Sequence, residues 1–432
     1  MGTEKKTCRR FLFASVVFAF VLTNVIFLSV KHQGYISFES PVIKPPCQTG
    51  NEPGIVQDAS LRLLVSFVFF ETEEMSDCET SNKRNNLATF LLSAVSTSPP
   101  GVHFVFTFPG RKLEPSDVLD SAGLLPGSES GKAITKVLSN GAQNVELVEA
   151  SVNHPAADLC HHHAVIFDKK MKGHNYDYVF VLNDGVRGPF FNAEISAESV
   201  RNTPFIRSKR LCLDSRCWTC MPSDRTLCET FTFVCRPYSE ERRLPFANTP
   251  LWLVDLLTVM LTANSTRLVG PILSCEREVH IQSWTQLIDW RVMDTVLPIM
   301  SATCEPGIDW DSVIDKEVAI GVSLLREGFS LAGLHPSCRV FSLEDREKLH
   351  EQDPNTLREL SWCKNILRAD VSNFLNRLTN LDVHGFVKFG GTLWREGLLP
   401  ESFVNRVNTE THIRFGMSYA PQCYRQMKGR SM

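Results

Sequence analysis

The sequence lacks the short glycine-rich motifs by which many nucleotide-binding proteins hold phosphates. No glycine-rich dinucleotide fingerprint follows the first predicted strand, and no Gly-Lys-Ser/Thr phosphate loop occurs in the 432 residues. Gly131-Lys132 has no glycine upstream at the required distance. Nucleophile–base pairs and closed zinc-ligand sets are also missing, so nicotinamide dehydrogenases, ordinary kinases and hydrolases are all disfavoured.

The chain also lacks an excess of positive charge. Its formal net charge is −3, which gives no electrostatic footprint for a nucleic-acid partner. At 43% hydrophobic and 22% charged residues, the chain is long and apolar enough to bury a full core.

Charge is absent altogether from residues 11–30. As a helix, this segment would span the roughly 30 Å hydrocarbon core of a bilayer. Four basic residues precede it within residues 1–10, whereas only Lys31 and His32 follow closely, so the amino terminus is predicted to be cytosolic. A cleaved signal peptide would have a shorter apolar core and a small-residue cleavage site. The sequence therefore predicts an uncleaved signal anchor and a single-pass type II membrane protein.

The predicted lumenal part begins with a proline-containing stem at residues 31–60. Thirteen of the 14 cysteines lie beyond the anchor, in a compartment where disulfides persist. Five of them crowd into residues 206–240, where Cys217 and Cys220 have zinc-ribbon spacing but no second matching pair follows. We interpret 206–240 as a disulfide-stapled insertion.

Residues 61–432 are predicted to form an α/β domain, because strand and helix patterns alternate along its first part. Such alternation predicts a doubly wound, mostly parallel sheet. The predicted strands are 61–70, 102–108, 145–148 and 178–182, and the predicted helices are 82–95, 131–138 and 156–167.

The strand at 178–182 is apolar throughout and ends abruptly at Asn183-Asp184-Gly185, with Arg187 close behind. Ligands of open α/β sheets bind just beyond the carboxyl ends of strands. Asp184 is placed to meet a metal–diphosphate there, and arginine suits phosphate. The alternative is that the turn is purely structural, because any α/β protein can end a buried strand in such a turn.

Upstream of that strand, Asp158 lies near a predicted helix start, where it could meet a sugar hydroxyl or simply favour the helix dipole. His161, His162 and His163 follow. Consecutive helical residues point about 100° apart, so a regular helix cannot direct all three at one ion.

Downstream, residues 251–261 read as a helix and 267–273 as a strand. Ser283 with Gln286 forms a capping-box pattern before a predicted helix that continues to residue 292, and ligand contact is the alternative role of Ser283. The sequon at Asn264 falls in the loop before the strand and predicts N-glycosylation.

Residues 313–328 are predicted to form a helix closed by Gly328. Glu317 lies near its start, where a carboxylate either suits the dipole or acts as a general base. Residues 342–380 are predicted to be an appended helical element, and 385–389 a last strand.

Taken together, these segments resemble a family of eukaryotic glycosyltransferase-like proteins with distant similarity to bacterial rhamnan-synthesis glycosyltransferases. The strand ending in Asn-Asp-Gly-Val-Arg-Gly-Pro is the most specific piece. The matching segments, in order, are Arg84–Phe90, Asn153–Cys160, Tyr178–Phe190, Leu268–Ser283 and Val313–Gly328.

The resemblance implies a GT-A-like fold that binds a nucleotide sugar at the carboxyl ends of its strands. It places Asp158 near the donor, Asn183 and Asp184 at the Asp-x-Asp metal motif, with Asn183 as a substrate contact and Asp184 as the metal ligand, and Glu317 nearest the acceptor. The residues it implies along the cleft are Arg187, His280, Gln282 and Ser283. A Mn²⁺ or Mg²⁺ ion held by a single carboxylate would take most of its ligands from diphosphate and water.

Two functional hypotheses follow. The first is a Golgi membrane glycosyltransferase that moves a hexose or deoxyhexose from a nucleotide diphosphate to a glycan or glycoconjugate. The second is a catalytically silent lumenal module of the same fold that binds glycan or scaffolds another transferase.

Overall fold

The structure is a computed structural model that describes residues 60–72, 75–110, 113–139, 141–150, 158–190, 246, 249–274, 277–335, 340–351, 353, 386–389 and 401–417. All of these belong to one compact unit, Val56–Met432. The predicted tail, anchor and insertion, and nearly all of the predicted stem, lie outside the described residues, as does most of 342–380. No helix within these ranges is long and apolar enough to cross a membrane.

A mostly parallel sheet forms the centre of the molecule, in the strand order β10-β9-β6-β8-β4-β1-β2-β3. Its neighbouring strands run parallel except where β8 lies between β4 and β6, and where β10 lies along β9. The strands are β1 Leu63–Val68, β2 Val102–Pro109, β3 Val145–Ala150, β4 Tyr178–Asn183, β5 Val186–Arg187, β6 Thr266–Ser274, β7 His280–Ile281, β8 Thr285–Asp289, β9 Ser330–His335, β10 Val340–Phe341 and β11 Val387–Lys388.

Helices cover both faces of the sheet, and β11 pairs with β5 in a separate two-stranded ribbon. Short 3-10 turns precede α5 and α6 and follow α6, and a π-helical turn at Leu91–Val95 extends α1. The helices are α1 Asp77–Phe90, α2 Pro115–Ala122, α3 Glu129–Leu138, α4 Asp158–Met171, α5 Val254–Thr262, α6 Met293–Ser301, α7 Trp310–Arg326, α8 Leu343–His350 and α9 Glu401–Phe415.

Alternating side chains of the central strands fill a hydrophobic core on each face of the sheet. On one face, Phe67 of β1 packs against Phe90 of α1 and Phe106 of β2, with ring centroids 5.1 and 5.4 Å apart. On the other, Leu64 of β1 and Val179 of β4 pack in one cluster with residues of α4, α6 and α7. The predicted α/β fold is confirmed, and this mostly parallel sheet is consistent with the GT-A-like fold.

The main error concerns the segment after Ser283. A helix is predicted from residue 284 to 292, but Thr285–Asp289 forms β8, paired with β4 and with β6. A short apolar segment fits the helical and the strand period equally well. Here the pairing with β4 on one side and β6 on the other selects the extended conformation. The first helix of the following region is instead the 3-10 turn at 290–292 leading into α6.

Several elements have no counterpart in the prediction, including α2, α6, β9 and α9. The predicted helix at 313–328 begins earlier, at Trp310, because the side chain of Asp309 caps it by accepting a bond from the Ser312 N–H, 2.8 Å away. Its end is as expected, since Gly328 has a φ of +83° that favours glycine.

Candidate functional site

The predicted site residues gather where β4 ends. The backbone N–H of Asn183 donates to the Trp284 carbonyl over 3.4 Å, which holds the segment before β8 against the end of β4. On the other side of β4, the backbone N–H of Asp184 donates to the carbonyl of Val68 at the end of β1, over 3.1 Å. The sheet order therefore brings the turn at 183–185, the start of α4 and the 280–284 segment to one edge of the sheet.

Asp158 is the first residue of α4 and is partly buried. Its Oδ2 atom accepts a hydrogen bond from Asn183 Nδ2 at 2.6 Å, while Asn183 Oδ1 accepts from the N–H of Gly185 at 3.0 Å. Burial, and then the charge of Asp184, raise the pKa of Asp158 to about 6. The carboxyl of Asp158 can thus change its charge near neutral pH.

Asp184 is buried and already has a cationic partner. Its Oδ2 atom accepts from the backbone N–H of Phe70 at 2.6 Å and lies 3.2 Å from Nζ of Lys83. The Lys83 ammonium also donates to the Phe70 carbonyl at 2.8 Å. Burial raises the pKa of Asp184, while the charge of Lys83 opposes the increase. Sequence reasoning missed Lys83, whose only signal is its place one residue before the Arg84–Phe90 match.

Arg187 does not line an open cleft. It is fully buried, and its guanidinium lies over the Phe389 ring at 4.3 Å. Three asparagine side chains accept its hydrogen bonds: Asn86 from Nε at 2.7 Å, Asn408 from Nη1 at 2.6 Å and Asn82 from Nη2 at 2.8 Å. This geometry corrects the expectation that Arg187 contacts a diphosphate, because the fork is already occupied by amide oxygens.

The same asparagines support the turn after β4. Asn86 Nδ2 donates to the Asp184 carbonyl at 2.7 Å, and Asn82 Nδ2 donates to the Phe389 carbonyl at 2.6 Å. Arg187, α1 and the β5–β11 ribbon therefore fix the backbone that carries Asp184.

A second polar group lies between β7 and α7. Glu317 Oε1 accepts from the backbone N–H of Ser283 at 2.5 Å and lies 3.8 Å from Nε2 of His280. The side chain of Glu317 is 16% exposed, so a ligand can reach it. Ser283 thus holds Glu317 through its backbone rather than capping a helix, which corrects the capping-box interpretation.

Gln282 and His280 are buried against this group. Gln282 Oε1 accepts from the Trp284 indole N–H at 2.6 Å, and Nδ1 of His280 lies 2.8 Å from the Glu278 carbonyl. Both side chains support the loop between β7 and β8.

The histidine trio does not converge on one point. His161 and His162 are buried, and His163 stacks on Phe167 with ring centroids 5.5 Å apart. Nδ1 of His162 lies 2.8 Å from the Ser66 hydroxyl of β1, and burial, followed by the neighbouring His161, lowers the pKa of His162 to about 3. His162 is therefore a neutral core residue.

A divalent cation bound through Oδ2 of Asp184 does not fit these residues. Asp184 Oδ2 is taken by an amide and an ammonium, and the amide oxygen of Asn183 is taken by Gly185. Among the described residues, no three His, Cys, Asp or Glu side chains converge as a metal-binding group. The ammonium of Lys83 occupies the position that a cation would need beside the carboxylate, and its charge repels such an ion.

Two further features lie outside the cluster. Asn264 is exposed in the turn before β6, at the opposite end of that strand from Ser274. Cys160 of α4 forms a disulfide with Cys304, 144 residues further along the chain. That bond ties the start of α4, and with it Asp158, to the turn after α6.

No protein-family model matches the chain, and a search of curated proteins found no match. Among the solved structures that are similar to part of the chain are two transferases. The bifunctional glycosyltransferase WbbM is 11% identical with a TM-score of 0.22, and this chain covers 38% of its length and 62% of its own. Mouse xyloside xylosyltransferase 1 is 10% identical with a TM-score of 0.24, over 82% of that chain and 61% of this one. With TM-scores this low, neither likeness decides the fold or chemistry of this chain.

Proposed function

We propose that the protein is a glycosyltransferase that moves a sugar from a nucleotide diphosphate to a glycan or glycoconjugate hydroxyl. The observation that carries the proposal is the cluster of Asp158, Asn183, Asp184 and Lys83 at the carboxyl ends of β1 and β4. This is the edge of an α/β sheet where nucleotide ligands bind. The second polar group, around Glu317, adjoins it through the Asn183–Trp284 hydrogen bond.

Each group has a distinct role in this proposal. Asp158 and Asn183 hold donor hydroxyls, with Asp158 able to donate a proton below its pKa of about 6. The Glu317 carboxylate takes the proton of the acceptor hydroxyl as that oxygen bonds to the anomeric carbon. The bond between that carbon and the diphosphate breaks, and its electron pair leaves on the diphosphate. Arg187 is a positioning residue, since it holds the turn that carries Asp184.

We also propose that the protein acts in the Golgi lumen as a type II membrane protein. The charge-free segment 11–30 and its preceding basic residues support that orientation. The Cys160–Cys304 disulfide favours an oxidising compartment. The exposed position of Asn264 suits N-glycosylation in the same lumen.

A second candidate is the catalytically silent module, and one observation favours it. The side chains of Asp184, Asn183 and Gln282 already bond to groups of the protein itself. Such a module would keep the fold and bind glycan without a nucleotide sugar.

Nucleotide binding separates the two candidates. The full chain in detergent should be heated with UDP, GDP and dTDP, and with sugars linked to them, while its melting temperature is recorded. A ligand at a hundred times its dissociation constant stabilises the folded state by about 2.7 kcal/mol. We expect the nucleotides that carry one of the three bases to raise the melting temperature of the protein. Asp158→Ala should abolish that increase.

The matched control is Asp168→Ala, which changes the same residue type in the same helix. Asp168 lies ten residues further along α4 and forms an exposed ion pair with Lys172. It should leave the nucleotide effect intact. If no nucleotide changes the melting temperature of the folded chain, the transferase proposal fails and the silent module is preferred.

Catalysis is tested separately with Glu317→Gln. We expect this variant to bind the nucleotide normally but to release nucleoside diphosphate from the sugar donor at least 100-fold more slowly, because general-base catalysis contributes about 10²–10⁴-fold. Glu327→Gln is the control, since Glu327 is exposed just beyond the same helix and its side chain bonds only to Thr295 among the contacts described. Equal loss in both variants would remove Glu317 from the mechanism.

A further inference from the structure

We infer that Lys83 supplies the positive charge at the donor site, so that the protein binds nucleoside diphosphates without a divalent cation. The inference rests on the proposed function, because it names how the same site receives the diphosphate.

The position of Lys83 is the first observation. Its Nζ lies 3.2 Å from Asp184 Oδ2, and its side chain is only 8% exposed. The Phe70 carbonyl accepts a hydrogen bond from this ammonium at 2.8 Å, the Asp184 carboxylate forms an ion pair with it, and the Phe70 ring lies 5.7 Å from Nζ. We assign the remaining donor capacity of the ammonium to a ligand oxygen. A lysine ammonium is a point charge that binds phosphate well in such a setting.

A second lysine acts at the same place. Lys388 of β11 lies close enough to Asp158 for its charge to lower the pKa of that carboxyl, as the charge of Lys83 also does. Lys388 is only partly buried and is anchored by the pairing of β11 with β5. Lys83 of α1 is thus paired with Asp184, and Lys388 of β11 is in a strand paired with the residues that follow the turn at 183–185.

Asp184 then acquires a role other than metal binding. It holds the ammonium of Lys83 in place, as the partner in a buried ion pair does. A cation added to this site would have to displace Lys83 from Asp184 or compete with its charge. Neither step is needed to neutralise a diphosphate when two lysines are in place.

The test compares binding with and without metal. The dissociation constants of UDP, GDP and dTDP for the full chain should be measured by calorimetry, once in EDTA and once with Mn²⁺. We expect the preferred nucleotide to bind equally well, within about twofold, in both buffers. Lys83→Gln should weaken that binding at least tenfold, and Lys83→Arg should retain most of it because the charge is kept.

Lys136→Gln is the matched control, since Lys136 is exposed in the last turn of α3, and it should bind as the wild type does. If Lys83→Gln fails to fold, Lys388→Gln replaces it, with a loss of at least threefold expected in EDTA.

The two ways of failing are distinct. Binding that is tenfold or more weaker in EDTA than with Mn²⁺ overturns metal independence and leaves the transferase proposal standing. If the nucleotide binds equally well in EDTA and with Mn²⁺, and neither Lys83→Gln nor Lys388→Gln weakens that binding, then the lysines do not supply the positive charge. Absence of binding in both buffers overturns the proposed function and this inference with it.

Discussion

Asp158 and His162 lie one turn apart in α4, and burial disfavours the charged form of both. The pKa of Asp158 is raised to about 6, chiefly by burial and then by Asp184, whereas the pKa of His162 is lowered to about 3 by burial and then by His161. The two residues therefore make opposite contributions to the pH dependence of stability between these values. Single substitutions can separate the contributions.

Asp158→Asn should stabilise the protein at pH 7.5. The folded pKa of Asp158 is above its ordinary value, so the folded state retains a proton that the unfolded state loses, and stability falls as pH rises from about 4 to 6. Above pH 6 the full cost of ionising Asp158 is present. A shift of about two units corresponds to at most about 3 kcal/mol.

Urea unfolding of both proteins at pH steps from 4 to 7.5 measures the effect. The advantage of Asp158→Asn should be largest above pH 6 and should vanish near pH 4. An advantage that is constant across this range would show that the charge of Asp158 is not its cause.

His162→Asn should flatten the acid side of the stability profile. In the wild type, the unfolded chain binds a proton at His162 as pH falls through 6.5, but the folded chain does not until about pH 3. Stability is thus lost by up to about 1.4 kcal/mol per pH unit in that window. The His162→Asn variant should be less stable than the wild type at pH 7, because asparagine fills less volume than histidine. It should lose less stability than the wild type on acidification.

The same urea series measures this slope, with His174→Asn as control. His174 is exposed just after the same helix, so its substitution controls for the loss of a histidine from outside the core. Equal slopes for His162→Asn and the wild type would contradict a neutral, buried His162.

At the scale of elements, the buried Arg187 joins α1, α9 and the β5–β11 ribbon. Arg187→Met fills similar volume but leaves the acceptor oxygens of Asn82, Asn86 and Asn408 without their donor. Each unsatisfied buried polar group costs about 1–3 kcal/mol, so we expect a loss of about 3 kcal/mol or more.

Chemical denaturation measures that loss, and Arg62→Met is the control. Arg62 has a half-exposed side chain that pairs with Asp177, so the control should change stability by less than about 1 kcal/mol. A small effect of Arg187→Met would imply that the asparagines find other partners, and would return Arg187 to consideration as a ligand residue.

The hydrophobic pattern of the sequence predicts those strands that are buried on both faces. β1, β2 and β4 are apolar strands, and their neighbours bury them on both faces as the composition indicates. Thr285–Asp289 is a strand rather than the predicted helix, because its position between β4 and β6 selects the extended form. Local period carries no information about that position.

The candidate site likewise contains some residues that the sequence predicts and others whose roles only the fold reveals. The sequence predicts Asp158 and Asn183 as site residues because each stands at the end of a predicted element, and the fold brings their side chains to 2.6 Å. The roles of Lys83 and Arg187 depend on contacts across 101 and 221 residues of sequence. Such contacts exist only once the sheet order and α9 are known. The sequence alone does not distinguish an arginine that is buried in the core from one that contacts a ligand.

At the scale of the whole molecule, the proposed orientation places residues 61–432 in the lumen. Asn264 carries the chain's one N-glycosylation sequon, and the structure exposes it in the turn before β6, away from the end of that strand near the site. A glycan there would face solvent without blocking the carboxyl ends of the strands. Glycosylation at Asn264 therefore reports on the orientation of the chain without disturbing nucleotide binding.

Expression of the full chain in cultured animal cells, followed by peptide-N-glycosidase treatment, tests this orientation. We expect the enzyme to increase the electrophoretic mobility of the wild type by one glycan and to leave Asn264→Gln unchanged. Asn408→Gln would be a poor control because Asn408 holds Arg187, whereas Asn175→Gln alters an exposed asparagine outside any sequon and should retain the glycan. An unglycosylated wild type would mean that the oligosaccharyl-transfer machinery never meets this turn. The type II orientation, and with it the proposed lumenal substrate, would then have to be abandoned.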